Sequence, residues 1–135
     1  MKMFIVLFSC IGLLTGCIQK LSGQTGETKK SEYRKISAVE ARKMMQESKD
    51  YILLDVRTES EYREKHIQGA VLIPDNEIKA RAEKELPDKN AVILVYCRSG
   101  RRSASASKIL AGLGYINIYD FGGITGWSFE TVSGR

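Results

Sequence analysis

One cysteine stands in a setting that suits nucleophilic chemistry. Cys97 directly follows the apolar run of residues 91–96 and lies three positions before Gly100. Residues 98–108 carry four positive charges and no acidic residue. Nearby cations and the amino terminus of a helix both lower the pKa of a thiol, and the thiolate is the reactive form. We therefore predict a thiolate that accepts a sulfur or phosphorus atom from an anionic donor.

The segment after Cys97 has the composition of an anion-binding loop. Gly100 allows the backbone to curl so that successive N–H groups face inward and form an anion nest. The clustered arginines should also give the mouth of the site a positive potential. Both features favour an anionic substrate.

The rest of the chain predicts alternating strands and helices that position this loop. The pattern predicts strands over residues 51–56, 71–73, 91–96 and 115–119, and the last of these is ended by Gly122 and Gly123. It predicts two helices that begin at the capping boxes of Ser37 and Thr58. A third helix contains Ile78, Ala82 and Leu86, and a fourth covers residues 101–113. Such alternation is typical of βαβ units, so we predict an α/β domain with a mainly parallel sheet covered on both faces. Ligands of these sheets bind beyond the carboxyl ends of the strands, where Cys97 is placed.

Length and composition limit the class of protein. The chain has 135 residues, which suits one domain, and 43% of them are apolar, which is ordinary for a globular protein. The formal net charge is +5. A structural zinc site would need four ligands and hence the one histidine and all three cysteines, and the cysteines show none of the short spacings of zinc ligands, so no metal is predicted.

The amino-terminal segment has the features of an export signal. Lys2 precedes the apolar residues 3–14, a run well below the roughly 20 residues of a membrane-spanning helix. The run ends in Leu14, two small residues and Cys17, which resembles the lipobox of bacterial lipoproteins. This resemblance implies cleavage after Gly16 and a diacylglycerol on Cys17. An ordinary signal peptide, or an uncleaved anchor that contains a cysteine, is the alternative.

We accordingly divide the chain into three parts. They are a lipoprotein signal peptide at residues 1–16, a lipid-anchored flexible tether at residues 17–34, and a catalytic domain at residues 35–135. The tether is polar and rich in Gly, Ser, Thr and charges. The predicted location is extracytoplasmic, on a bacterial membrane of the cell envelope, held by the lipid on Cys17. Cys97 is then the only free thiol, because Cys10 leaves with the signal peptide.

The loop from Cys97 to Ser103, with the sequence CRSGRRS, resembles the active-site loop of single-domain rhodaneses, which are sulfurtransferases. The other stretches that resemble elements of this family are Asp55 with Val56 and Arg57, Glu61 with Tyr62, residues 66–70, and Gly122 with Gly123 followed by Trp127. Their order and spacing together make the resemblance specific. Gln68 and Lys65 depart from the family pattern, where proline and glycine are usual.

The resemblance implies a fold, an intermediate and a set of site residues. The fold is the rhodanese-like three-layer fold, with a mainly parallel central sheet of about five strands and helices on both faces. Cys97 would be the nucleophile and would carry a covalent persulfide, with no cofactor. The backbone amides of residues 98–102, including Ser99 and Gly100, would cradle the outer sulfur.

The arginines of the loop would have different roles. The resemblance implies that Arg98 and Arg101 face the anionic donor, while Arg102 braces the loop and adds positive potential. Two further residues would support the site from a neighbouring strand. Asp55 would accept hydrogen bonds from loop amides and Arg57 would pair with Glu61, or Asp55 and Arg57 would form a purely structural ion pair.

The predicted function is transfer of sulfane sulfur from thiosulfate, or a similar donor, to cyanide or a thiol acceptor. A non-catalytic persulfide carrier in the cell envelope is the alternative. A phosphatase or arsenate reductase is disfavoured, because those enzymes need Cys-x5-Arg and position six after Cys97 is Ser103. Nucleic acid is not an expected partner, since the arginines are not interleaved with aromatic residues.

Overall fold

The computed structural model describes residues 32–134 of the chain. Five strands, all parallel, form one sheet in the order β1-β5-β4-β2-β3. The strands are β1 Arg34–Lys35, β2 Ile52–Asp55, β3 Val71–Leu72, β4 Val92–Cys97 and β5 Asn117–Gly123, and the helices are α1 Ala38–Glu47, α2 Glu59–Glu64, α3 Ile78–Glu85 and α4 Arg101–Gly112. This architecture confirms the predicted α/β fold and its parallel sheet of about five strands.

Strand β4 is the centre of the sheet, as its apolar sequence predicts. Ile93 and Val95 belong to the core on the side of α3 and α4, whereas Leu94 and Tyr96 belong to the core on the side of α1. All four side chains are fully buried. Burial on both faces explains why the strand is continuously apolar instead of alternating.

Both predicted capping boxes are present. The side chain of Ser37 accepts a hydrogen bond from the backbone N–H of Glu40, whose carboxylate accepts in return from the N–H of Ser37. Thr58 and Glu61 form the same reciprocal pair at the start of α2. These contacts satisfy N–H groups that a helix start otherwise leaves unpaired.

Two elements differ from the sequence prediction. Strand β1 lies partly within the segment predicted as tether, and it consists of two exposed residues that carry no apolar pattern. It forms because Arg34 and Lys35 pair with Tyr119 and Asp120 of β5. Strand β5 also continues through Gly122 and Gly123, where the sequence predicted its end. The register between β4 and β5 shifts between Val95 and Cys97, and this shift allows Gly123 to pair with Cys97.

The topology brings three loops to one edge of the sheet. Asp55, Cys97 and Gly123 are the last residues of β2, β4 and β5, and the carboxyl ends of parallel strands share an edge. Within residues 32–134, no helix has the length and apolar character needed to span a membrane. The predicted signal peptide and the lipidated Cys17 lie outside the described residues.

Candidate active site

Cys97 occupies the predicted position at the end of the central strand. Its side chain is 1% exposed and belongs to the core cluster beneath α4. The backbone N–H of Gly100 donates a hydrogen bond to Sγ at 3.0 Å. The thiol in turn donates to Oγ of Ser103 across 3.6 Å. The sulfur therefore sits inside the turn that joins β4 to α4.

This environment lowers the pKa of the Cys97 thiol. Burial by itself raises the pKa, but hydrogen bonds from the backbone and hydroxyl of Ser103 and from the amides of Gly100 and Ser99 outweigh it. The pKa of the Arg102 guanidinium is raised chiefly by its hydrogen bonds with Glu61, and the charge of Cys97 adds to this effect. Backbone and hydroxyl dipoles thus contribute directly to a thiolate at this position, beside the arginine charge that the sequence argument emphasised.

The loop is held in shape by close backbone packing against the end of β5. Gly100 has a φ of +106°, in the left-handed region where glycine is favoured. A Cβ on Gly123 would lie 2.1 Å from the carbonyl oxygen of Arg98, so only glycine fits there. The same carbonyl accepts hydrogen bonds from the backbone N–H of Thr125 at 3.2 Å and from its Oγ1 at 3.0 Å.

The positive charge of Arg102 is paired with a carboxylate, although the sequence predicted that no acidic residue would lie near the loop. Its two terminal nitrogens donate to the two carboxylate oxygens of Glu61 at 2.8 and 2.7 Å. These bonds lower the pKa of Glu61 to about 2, against the effect of burial and with help from Thr58. Arg102 therefore joins the start of α4 to α2, and its positive charge is largely neutralised by Glu61.

The predicted roles of Asp55 and Arg57 are corrected in favour of the structural ion pair. Arg57 pairs with Asp55, not with Glu61, and Nη2 lies 2.6 Å from Oδ2. Asp55 accepts hydrogen bonds from the backbone N–H and from Nε of Arg57. Nη2 of Arg57 also donates to the carbonyl of Lys65 at 2.7 Å.

The remaining predicted residues lie at the surface around the loop. Arg98, Ser99 and Arg101 are exposed, and none of the ion pairs among residues 32–134 includes either arginine. Arg98 lines a recess of about 280 Å³, and Arg101 lines a separate groove of about 650 Å³. Arg98 and Arg101 can therefore each attract an anion, one in the recess and the other in the groove.

Sequence reasoning missed three contributors to this site. The sequence assigns Ser103 no part in the chemistry, yet its hydroxyl contacts Sγ and donates toward the carbonyls of Gly100 and Gly122. Gly123 was interpreted as a strand end, whereas it permits close packing. The capping box identified Glu61, but nothing local in the sequence pointed to its partner 41 residues away.

The described residues form an α/β domain in which Cys97 lies in an amide-lined turn between a central strand and a helix. Residues 37–130 match the family model described as Rhodanese-like domain, and the chain belongs to this family. The resemblance identified from the sequence is thereby confirmed.

Known relatives agree with this membership. The chain is 40% identical over 81 residues to thiosulfate sulfurtransferase PspE of Escherichia coli, covering 60% of this chain and 78% of that protein. It is 32% identical over 96 residues to thiosulfate sulfurtransferase GlpE of Coxiella burnetii, covering 70% and 87%. A solved structure titled rhodanese with anions from E. coli has a TM-score of 0.59 and 38% identity, covering 62% of this chain and 99% of that one. The predicted enzyme class, a rhodanese-type sulfurtransferase, is confirmed, while its intermediate and acceptor remain predictions.

Proposed function

We propose that this protein transfers sulfane sulfur from thiosulfate to cyanide or a thiol through a persulfide on Cys97. The single observation that carries the proposal is the position of Sγ, 3.0 Å from the Gly100 amide, in a setting that lowers the thiol pKa. The thiosulfate sulfurtransferase relatives support the choice of donor.

The first step forms the persulfide. The Cys97 thiolate attacks the sulfane sulfur of thiosulfate, a new S–S bond forms at Sγ, and sulfite leaves with the electron pair of the broken bond. Arg98 and Arg101, both exposed, draw the dianion toward the loop. The amide of Gly100, which already donates to Sγ, stabilises negative charge on the sulfur together with the amide of Ser99.

The second step returns the thiolate. Cyanide or an acceptor thiolate attacks the outer sulfur, and the bond to Sγ breaks with its electron pair on Cys97. Ser103 assists because its hydroxyl, 3.6 Å from Sγ, can turn its single proton from a backbone carbonyl to the sulfur. No cofactor enters this sequence of steps.

Mass spectrometry of the intact protein tests the intermediate. Thiosulfate should add one sulfur atom to the wild-type chain and none to Cys97→Ser, whose hydroxyl does not ionise near neutral pH. Cys10→Ser in the unprocessed chain is the matched control, because the predicted mature protein lacks that cysteine. Thiosulfate:cyanide activity in Cys97→Ser would contradict the proposal. A stable persulfide without turnover on cyanide would instead support the carrier alternative.

We also propose that the chain is a lipoprotein of the cell envelope, anchored by a lipid on Cys17. The support is the short apolar run that ends at Leu14, Thr15, Gly16 and Cys17. Cys17→Ser should block processing and lipid attachment. A Cys17→Ser protein that still fractionates with membranes at its mature size would contradict this location.

A further inference from the structure

A groove beside the Cys97 loop is larger than a small sulfur donor requires. Its volume is about 650 Å³, and its walls include the loop at Ser99 and Gly100 and the end of β5 at Gly122. Small-molecule sites typically measure roughly 300–1,000 Å³. Thiosulfate would fill only a fraction of this space. The dimensions therefore suit a second, larger substrate of the same reaction.

Three cations line this groove and none is neutralised within the described part of the chain. Lys35 comes from β1, and Arg101 and Lys108 come from α4. Arg101 and Lys108 are seven residues apart and therefore lie on one face of the helix. All three residues are exposed. The ion pairs among residues 32–134 include none of them.

The other polar groups of the groove reinforce its preference for an anion. Ser99 and Ser105 also line it, and their hydroxyls can donate to a carboxylate. Among residues 32–134, the only carboxylate in its lining is that of Asp120, which is 3% exposed and accepts a hydrogen bond from the N–H of Gly122. The exposed charge of the groove is therefore positive.

We propose that this groove binds the carboxylates of an anionic low-molecular-weight thiol, which is the sulfur acceptor of the site. The inference rests on the proposed function. Gly100 connects the two regions, because it lines the groove and its amide lies 3.0 Å from Sγ of Cys97. A thiol held by Lys35, Arg101 and Lys108 lies against the loop that carries the persulfide.

The transfer needs no additional oxidant or reductant. The acceptor thiolate attacks the outer sulfur of the Cys97 persulfide and forms a new S–S bond. The bond to Sγ breaks, its electron pair remains on Sγ, and the acceptor leaves as a persulfide. Carboxylate binding raises the local concentration of the thiol and so acts mainly on KM for the acceptor.

The test compares two acceptors that differ in charge, using the full chain in detergent. Glutathione carries two carboxylates, and 2-mercaptoethanol carries none. Lys35→Ala and Lys108→Ala each remove one exposed charge contact, so each should raise KM for glutathione about threefold, and the double variant should raise it roughly tenfold. KM for 2-mercaptoethanol and for thiosulfate should not change.

Lys49→Ala is the matched control. Lys49 is exposed, forms no ion pair within residues 32–134, and precedes β2 at the opposite edge of the sheet. Equal effects on both acceptors, or no effect on either, would overturn the proposal. Thiosulfate:cyanide turnover separates the two inferences, because its absence in the wild type would refute the proposed function itself.

A binding experiment distinguishes a small thiol from a lipid headgroup. S-methylglutathione cannot accept sulfur, and we expect it to shift the NMR signals of residues around Lys108 in the wild type and not in the double lysine variant. Phosphatidylglycerol added to the micelles, with phosphatidylcholine as its control, should leave those signals unchanged. Shifts caused by phosphatidylglycerol alone would overturn the proposal.

Discussion

Glu61 and Arg102 form a bidentate ion pair that joins α2 to the first turn of α4. The carboxylate of Glu61 receives two hydrogen bonds from Arg102 at 2.7 and 2.8 Å, while it also accepts from Thr58 at the start of its own helix. The Glu61 side chain thus completes a capping box and also holds the helix that follows Cys97. The orientation of that helix determines where the amides of the loop point.

This pair predicts a specific acid sensitivity. The pKa of Glu61 falls from an ordinary 4.5 to about 2 in the folded protein. A depressed pKa stabilises the fold above the unfolded value, and this contribution disappears as pH falls from about 4.5 toward 2. In thermal unfolding over this range, the wild type should lose stability more steeply than Glu61→Gln. Glu64→Gln, which changes an exposed carboxylate of the same helix, should follow the wild-type profile.

Arg102→Ala should act through the same contact. We expect Arg102→Ala and Glu61→Gln each to reduce kcat/KM for thiosulfate about tenfold, because either change releases the start of α4. The double variant should resemble the single variants, since both remove one interaction. A double variant with fully multiplied losses would show that Arg102 acts independently of Glu61.

Salt dependence should arise from Arg98 and Arg101. Both are exposed and lack carboxylate partners among residues 32–134, whereas Arg102 is paired. Screening shortens the Debye length from about 10 Å at 0.1 M salt to about 3 Å at 1 M. Alanine at either position should lower kcat/KM for thiosulfate and flatten its decrease with salt. Arg102→Ala should leave the salt dependence close to that of the wild type, and steady-state kinetics at both concentrations checks this.

Gly123→Ala should disrupt the loop through backbone contact. The new Cβ would lie 2.1 Å from the carbonyl oxygen of Arg98, and overpacking of this kind costs on the order of 2 kcal/mol. We expect a lower midpoint of chemical unfolding together with loss of persulfide formation. Gly126→Ala is the control, because a Cβ there meets no atom within 4 Å. Normal activity in Gly123→Ala would show that the loop tolerates a shift of this strand end.

Asp55→Asn should destabilise the fold without removing the chemistry. It leaves the Arg57 guanidinium, whose side chain is 5% exposed, without its charged partner. Breaking a buried ion pair in this way costs about 3–5 kcal/mol. Urea unfolding should detect this loss, while thiosulfate should still add one sulfur atom to the folded fraction. A folded variant that cannot form the persulfide would restore a direct catalytic role for Asp55.

The sequence alone predicted the order of the main elements and the candidate nucleophile, Cys97. The capping boxes at Ser37 and Thr58 and the apolar run before Cys97 are local signals, and each is encoded within a few neighbouring residues. Strand β1 escaped this reasoning because its two exposed residues are held only by pairing with β5. Its pairing also places Lys35 in the groove beside the loop.

Only the tertiary structure decided which charges compensate one another. Arg57 and Arg102 both lie near a strand end in the sequence, yet one pairs with Asp55 two residues away and the other with Glu61 across 41 residues. An arginine that is paired with a carboxylate and one that is not are the same residue in the sequence. A count of charged residues therefore cannot distinguish them. Chain topology sets the distances between side chains from separate elements, and Coulomb attraction depends on those distances. For this reason the sequence predicted only that the surroundings of Cys97 are positive. The fold shows that the cations of this region without an ion pair among residues 32–134 include Arg98, Arg101, Lys35 and Lys108.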